Sequence, residues 1–257
     1  MAAQLLMAPR QFAPLKETGD KTTEMAPKLK GVVFDVDGTL CLPQTYMFVE
    51  MRSALSIPKG NDILAHVESL PAAEQEPAMQ KIRDIERTAM ASQTPQPGLL
   101  ELMKYLQSKS VPKGICTRNF DMPVNHLLGK FLAGQTFGPI VTRDFKPPKP
   151  DPAGILHIAK AWGFEDARDM IMVGDSVDDM TAGYRAGAAT VLLVNDVNAH
   201  LVEHEHTDLC ISRLDELIDV LENGFVGQIG RGEEDADTKG RAKRVLWEGR
   251  REGSAQI

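Results

Sequence analysis

Lys30-Gly31-Val32-Val33-Phe34-Asp35-Val36-Asp37-Gly38-Thr39 is the stretch that decides the fold. Residues 30–36 form a short apolar run of the kind that makes a strand buried on both faces. Two carboxylates and a glycine then follow at once, where such a strand would emerge from the sheet. Outward from this stretch, apolar runs recur at 114–116, 140–142, 170–173 and 190–194. Helical patterns alternate with them at 99–107, 124–132, 153–162 and 179–186. Strands and helices taking turns predict βαβ units, hence an α/β fold with a parallel sheet covered by helices. Punctuation agrees: Pro97-Gly98 precedes one helix, Asp151-Pro152 supplies a capping acid and a first-turn proline to another, and Gly163 and Gly187 stand at helix ends.

Between residues 42 and 96 the strand pattern stops. Amphipathic segments around 47–55, 63–70 and 74–91, separated by Pro58, Pro71 and Pro77, read as a helical cap inserted directly after the first strand. Residues 29–41 and 97–225 are therefore expected to build the core, and 42–96 the cap. Residues 1–28 read as a disordered arm, and 226–257, rich in acids, bases and glycine, as a disordered tail.

The chain has 257 residues, 42% hydrophobic and 25% charged, which is globular composition. A formal charge of −7 argues against nucleic acid or an anionic membrane as a partner, since either needs a clustered basic face. A small phosphorylated metabolite stays possible, because a few local cations can hold one phosphate. Cys41, Cys116 and Cys210 are odd in number and far apart, so neither a disulfide framework nor a CxxC metal site is indicated. A monomer or weak homodimer in the cytoplasm is the expectation. A mitochondrial presequence is the alternative, because residues 1–12 contain an arginine and no acid, although Glu17, Asp20 and Glu24 oppose it.

In an open parallel sheet, ligands bind beyond the carboxyl ends of the strands. The polar groups there are Asp35 and Asp37, then Thr117-Arg118-Asn119, then Lys149 in a proline-rich loop, then Gly174-Asp175-Ser176-Val177-Asp178-Asp179. Asp35 is the candidate nucleophile toward phosphorus, and Asp37 the acid that protonates the leaving oxygen and then activates water. Gly38 lets the chain curl so that both reach one phosphate. A phosphate dianion needs a hard cation beside such carboxylates, and Mg2+ fits. Asp35, Asp175 and the backbone carbonyl of Asp37 are its candidate ligands, with Asp179 direct or one layer behind. Thr117 and Lys149 would hold the phosphoryl oxygens, while Arg118 and Asn119 either join them or shape the loop. Thr45, Tyr46 and Arg52 of the cap are candidate specificity residues. Plainer roles compete: Asp179 as a helix cap, Asp178 as a solvated neighbour, and Cys116 as a small buried hydrophobe. His200-Leu201-Val202-Glu203-His204 matches the HxxEH zinc pattern only formally, and a solvated helical stretch is the preferred reading.

These motifs, from Gly31 to about Val194, resemble the haloacid dehalogenase superfamily. Its DxDGT motif corresponds to residues 35–39, its strand-then-threonine motif to 115–117, its lysine to Lys149 and its GDxxxD motif to 174–179. Lys146 competes with Lys149, which is preferred because it directly precedes the Pro-Asp-Pro helix start. The resemblance implies a Rossmannoid, doubly wound core, a small helical cap and Mg2+-dependent phosphatase activity, similar to the phosphoglycolate phosphatase-like branch. A phosphomutase of the same fold and a non-catalytic binding module are the rivals.

Overall fold

The apolar runs become strands of a six-stranded parallel sheet in the computed structural model, which describes residues 9–16 and 26–229. In chain order the strands are β1 (Gln11–Phe12), β2 (Gly31–Phe34), β3 (Lys113–Cys116), β4 (Ile140–Val141), β5 (Met170–Gly174), β6 (Ala189–Leu193), β7 (Leu209–Ile211) and β8 (Phe225–Val226). The helices are α1 (Thr45–Leu55), α2 (Ile63–Ser69), α3 (Ala72–Ala91), α4 (Leu99–Ser108), α5 (Asp121–Phe131), α6 (Ala153–Ala161), α7 (Val177–Ala186) and α8 (Glu216–Asn223). The sheet order is β4-β3-β2-β5-β6-β7, so the quoted strand lies near the middle and the order reverses beside it. That reversal opens a crevice at the strand ends.

Burial on both faces explains why β2 lacks polar alternation. Val32 and Phe34 join one apolar layer with Leu99, Leu102, Leu127 and Leu217, whereas Val33 joins the other with Ile155, Ile158 and Ala182. All three are fully buried, and each such side chain contributes roughly 1.5–3 kcal/mol. Register then aligns the chemistry. Phe34 pairs with Ile115 on one side and Val173 on the other, so Asp35, Thr117 and Asp175 leave the sheet along one edge.

The insertion is helical as expected and has a small core of its own, in which Met47, Met51, Ile63, Val67 and Ile82 are buried together. Its two connections run side by side, Leu42 N–H donating to Thr94 O at 2.8 Å and Gln96 N–H to Leu40 O at 3.1 Å. Pro77 does not separate two segments, as its type suggested. It lies inside α3, which runs unbroken for 20 residues. The missing N–H forfeits one bond near the start of the helix on an exposed position, and the buried face through Ala78, Ile82, Glu86 and Ala89 outweighs that loss.

The terminal segments also depart from expectation. Gln11 and Phe12, read as part of a disordered arm, pair antiparallel with Val226 and Phe225. Phe12 is buried against Phe225 with ring centroids 5.5 Å apart, and Ile229 is buried too. A two-residue strand has too little pattern to be visible in a sequence, and its partner lies over 200 residues away. The remainder of both predicted disordered segments, 1–8, 17–25 and 230–257, lies outside the described residues. Phe12→Ala is expected to cost about 3 kcal/mol by emptying this contact, lowering Tm by roughly 6–12 °C in thermal denaturation. An unchanged Tm would mean that the arm does not dock.

Candidate active site

Lys149 organises the edge of the sheet. Its ammonium is buried, donates to Asp35 Oδ1 at 2.7 Å and also pairs with Asp179. Asp179 belongs to the first turn of α7, where a capping box joins it to Ser176: its Oδ2 accepts from Ser176 N–H at 3.0 Å and from Ser176 Oγ at 2.6 Å. Capping and membership of the site are alternatives in the sequence; in the structure one carboxylate makes both sets of contacts. Lys146 instead pairs with Glu68 of the cap at the surface, so the lysine preferred from the sequence is the one in the site.

Asp175 is fixed from the other side, its Oδ2 accepting from Asn195 Nδ2 at 3.2 Å and its backbone carbonyl from Asn198 Nδ2 at 2.7 Å. Gly38 takes φ +81°, and a Cβ there would lie 2.0 Å from Asp175 Oδ2. The glycine thus permits both the turn after Asp37 and the approach of the two loops. Gly174 meets a similar demand, since a Cβ would lie 2.3 Å from Asp179 Cβ. Thr117 and Asn119 are buried beside this cluster, with Asn119 N–H donating to Thr117 Oγ1 at 3.3 Å.

Asp35, Asp175 and Asp179 each offer a carboxylate oxygen within 4.8 Å of the others. Such a set of hard oxygen donors suits Mg2+. Both oxygens of Asp179 are already engaged by Lys149 and Ser176. Electrostatics point the same way. Burial pushes the Asp35 carboxyl up to about 7; Lys149 counteracts this, while Asp179 and Asp37 add to it. Burial, then Asp179 and Asp35, push Asp175 up to about 8. Asp37 is also raised by burial, against hydrogen bonds from Asn119 and from Cys41, whose thiol lies 3.5 Å from Asp37 Oδ1. Burial alone would lower Lys149, but Asp179 and Asp35 outweigh it and hold it firmly protonated. The acids outnumber the local cations, and a divalent cation would relieve that repulsion.

A cleft of about 400 Å³ lies between this edge and the cap, lined by Asp35, Asp37, Thr117, Arg118, Asn119, Lys149 and Asp175 from the core. Thr45 and Arg52 line it from the cap. Tyr46 does not: it is exposed, and its hydroxyl meets Ser92 Oγ at 3.1 Å at the base of the cap, which corrects its candidacy as a specificity residue. A helix of unknown phase gives no means of separating neighbours such as Thr45 and Tyr46. Arg118 is spanned by two carboxylates, Asp178 of the core at 2.7 Å and Asp62 of the cap at 2.5 Å. Asp178 is therefore a half-buried ion-pair partner rather than a solvated neighbour. The sequence reading missed Glu86, Arg143, Asn195, Asn198 and the apolar cleft residues Phe48, Met51 and Ile82. Only the pairing of remote segments reveals them, although the helical phase of α3 makes Ile82 and Glu86 share a face. Cys116 is buried, and burial pushes its thiol up to about 11, in keeping with a packing role. Among the described residues, Asp35, Asp175 and Asp179 are the one group of three or more potential ligands gathered closely enough to share a metal ion.

A family model described as haloacid dehalogenase-like hydrolase matches residues 29–187. An uncharacterized hydrolase of Saccharomyces cerevisiae is 45% identical over 76% of this chain and 92% of its own. Phosphoglycolate phosphatase 1 of Pseudomonas aeruginosa is 32% identical over 48% of this chain and 45% of its own. Among solved structures, a family IA hydrolase of Entamoeba histolytica superposes with a TM-score of 0.62 at 18% identity, covering 76% of this chain and 100% of its own. No helix among the described residues is long and apolar enough to cross a membrane.

The raised Asp175 carboxyl has a consequence for stability. An unfolded aspartate ionises near about 3.9. The folded, metal-free protein keeps the proton on Asp175 until about pH 8. Between these values the folded state binds more protons, so stability falls as pH rises through the window. In chelator, Tm is expected to decline from pH 5 to 8.5, and Asp175→Asn to flatten that decline; an unchanged slope in the variant would refute the assignment.

Proposed function

Because this chain belongs to the haloacid dehalogenase-like hydrolases, we propose that it is a Mg2+-dependent phosphatase acting on a small phosphate monoester in the cytoplasm. The observation that carries this reading is the convergence of Asp35, Asp37, Lys149 and Asp175 on one side of a single cleft.

Asp35 is the nucleophile. Lys149 holds its Oδ1, which leaves Oδ2 to attack phosphorus as the bond to the ester oxygen breaks, giving an aspartyl-phosphate. Asp37, half-buried with its carboxyl raised, gives its proton to the departing oxygen and then takes one from the water that hydrolyses the intermediate. Thr117 and Asn119 hold the phosphoryl oxygens. Asp35, Asp175 and the Asp37 carbonyl would hold Mg2+, which when bound would supply charge neutralisation for the phosphate. The engagement of both Asp179 oxygens supports its role as a brace for Lys149 and the α7 loop rather than a direct ligand. Arg118, already held by Asp62 and Asp178, is better suited to shaping the cleft than to binding the transferred phosphate.

Release of inorganic phosphate from a panel of phosphometabolites, phosphoglycolate included, tests the reading. Activity is expected to need Mg2+ and to fall more than about 1,000-fold in Asp35→Asn. Indifference to chelator, or wild-type rates in the variant, would sink it, and an isomerised phosphoester in place of free phosphate would indicate a mutase. Asp37→Asn is expected to slow alkyl phosphates by roughly 100-fold or more and p-nitrophenyl phosphate much less, because nitrophenolate leaves without a proton. Equal slowing of both substrates would assign Asp37 a different task.

A further inference from the structure

Glu86 projects from α3 into the seam between cap and core, one turn beyond Ile82, and both line the cleft. It is 4% exposed. One carboxylate oxygen, Oε1, is held by Arg143, which the loop after β4 contributes from the core. The other, Oε2, is buried without a hydrogen-bond partner. An orphaned carboxylate oxygen is costly, because it has lost water and gained nothing in return. If the pair with Arg143 were only a latch for the cap, nothing would require the second oxygen to go unpaired in the wall of the cleft.

The surroundings indicate what would complete it. Phe48, Met51 and Ile82 make the adjoining cap wall apolar, and a polar contact there is stronger than in water. Burial raises the Glu86 carboxyl; Arg143 opposes that shift, and the charge of Asp37 adds to it. Glu86 and Asp37, the proposed proton donor to the leaving group, thus line one cleft, near enough for their charges to interact. An acceptor oxygen at that position would repel a carboxylate or second phosphate on the leaving group and welcome a donor.

Resting on the phosphatase reading above, we propose that Glu86 Oε2 is a specificity determinant that accepts a hydrogen bond from a hydroxyl or ammonium group of the leaving alcohol. The substrate class is then a phosphate ester of a short polyol or amino alcohol. Arg143 is a positioning residue, which turns Glu86 so that Oε2 faces the ester.

Three esters of similar size separate the cases: propyl phosphate, glycerol 1-phosphate and phosphoethanolamine. Wild-type kcat/KM is expected to favour at least one donor-bearing ester over propyl phosphate by roughly tenfold or more, since a buried acceptor left unpaired penalises the plain chain. The hydroxyl and ammonium arms show which donor is used. Glu86→Gln is expected to shrink that preference several-fold, read as the ratio of kcat/KM on the donor-bearing ester to that on propyl phosphate, with circular dichroism reporting that the variant is folded. A wild-type ratio near one overturns the proposal whether or not the variant folds. So does an equal loss on all three esters, the signature of a latch. Asp35→Asn run on propyl phosphate keeps the two readings apart: its inactivity upholds the phosphatase chemistry even where Glu86 proves indifferent to the leaving group.

Discussion

The buried ammonium of Lys149 is the interaction on which the rest of this molecule depends. Asp35, Asp175 and Asp179 crowd within 4.8 Å, where mutual repulsion and loss of water would drive protons onto them. A cation already fixed between Asp35 and Asp179 allows part of that charge to persist. Removing one partner of such a buried pair typically costs about 3–5 kcal/mol, so the lysine serves the fold as well as the chemistry. It also keeps the Asp35 carboxylate from rotating.

Support for that cluster comes from elements with little else in common. The capping box of α7 restrains Asp179, two asparagines after β6 restrain Asp175, and Gly38 keeps the space that a Cβ would fill. The cap then meets the edge through a set of ion pairs. Arg118 with Asp62, Arg143 with Glu86 and Lys146 with Glu68 all join core to cap. Of these, Arg143–Glu86 is buried and Lys146–Glu68 is at the surface, where an ion pair contributes little, about 0–1 kcal/mol.

Much of this was legible in the chain. The alternation of buried runs with helices announced a parallel sheet, and the polar residues that end those runs became the site, Asp35 and Asp175 among them. This works because a strand buried on both faces has no other place for charge than its ends. Legibility failed where the signal is a matter of partners. The strand at Gln11 has no pattern to detect, and Pro77 looked like a break although it lies in a continuous α3. Tyr46 and Thr45 are adjacent in sequence, yet only Thr45 lines the cleft.

By itself, then, the sequence determined the fold class, the polar edge of the sheet, the nucleophile candidate and the family, because local periodicity and short motifs carry those properties. Only the tertiary structure decided which of two lysines enters the site, that Asp179 both caps a helix and holds that lysine, and that Arg143 meets Glu86 in the wall of the cleft. These are contacts between segments dozens of residues apart. Spacing along a chain cannot encode them, since they arise when sheet register and helix phase bring distant side chains to one point.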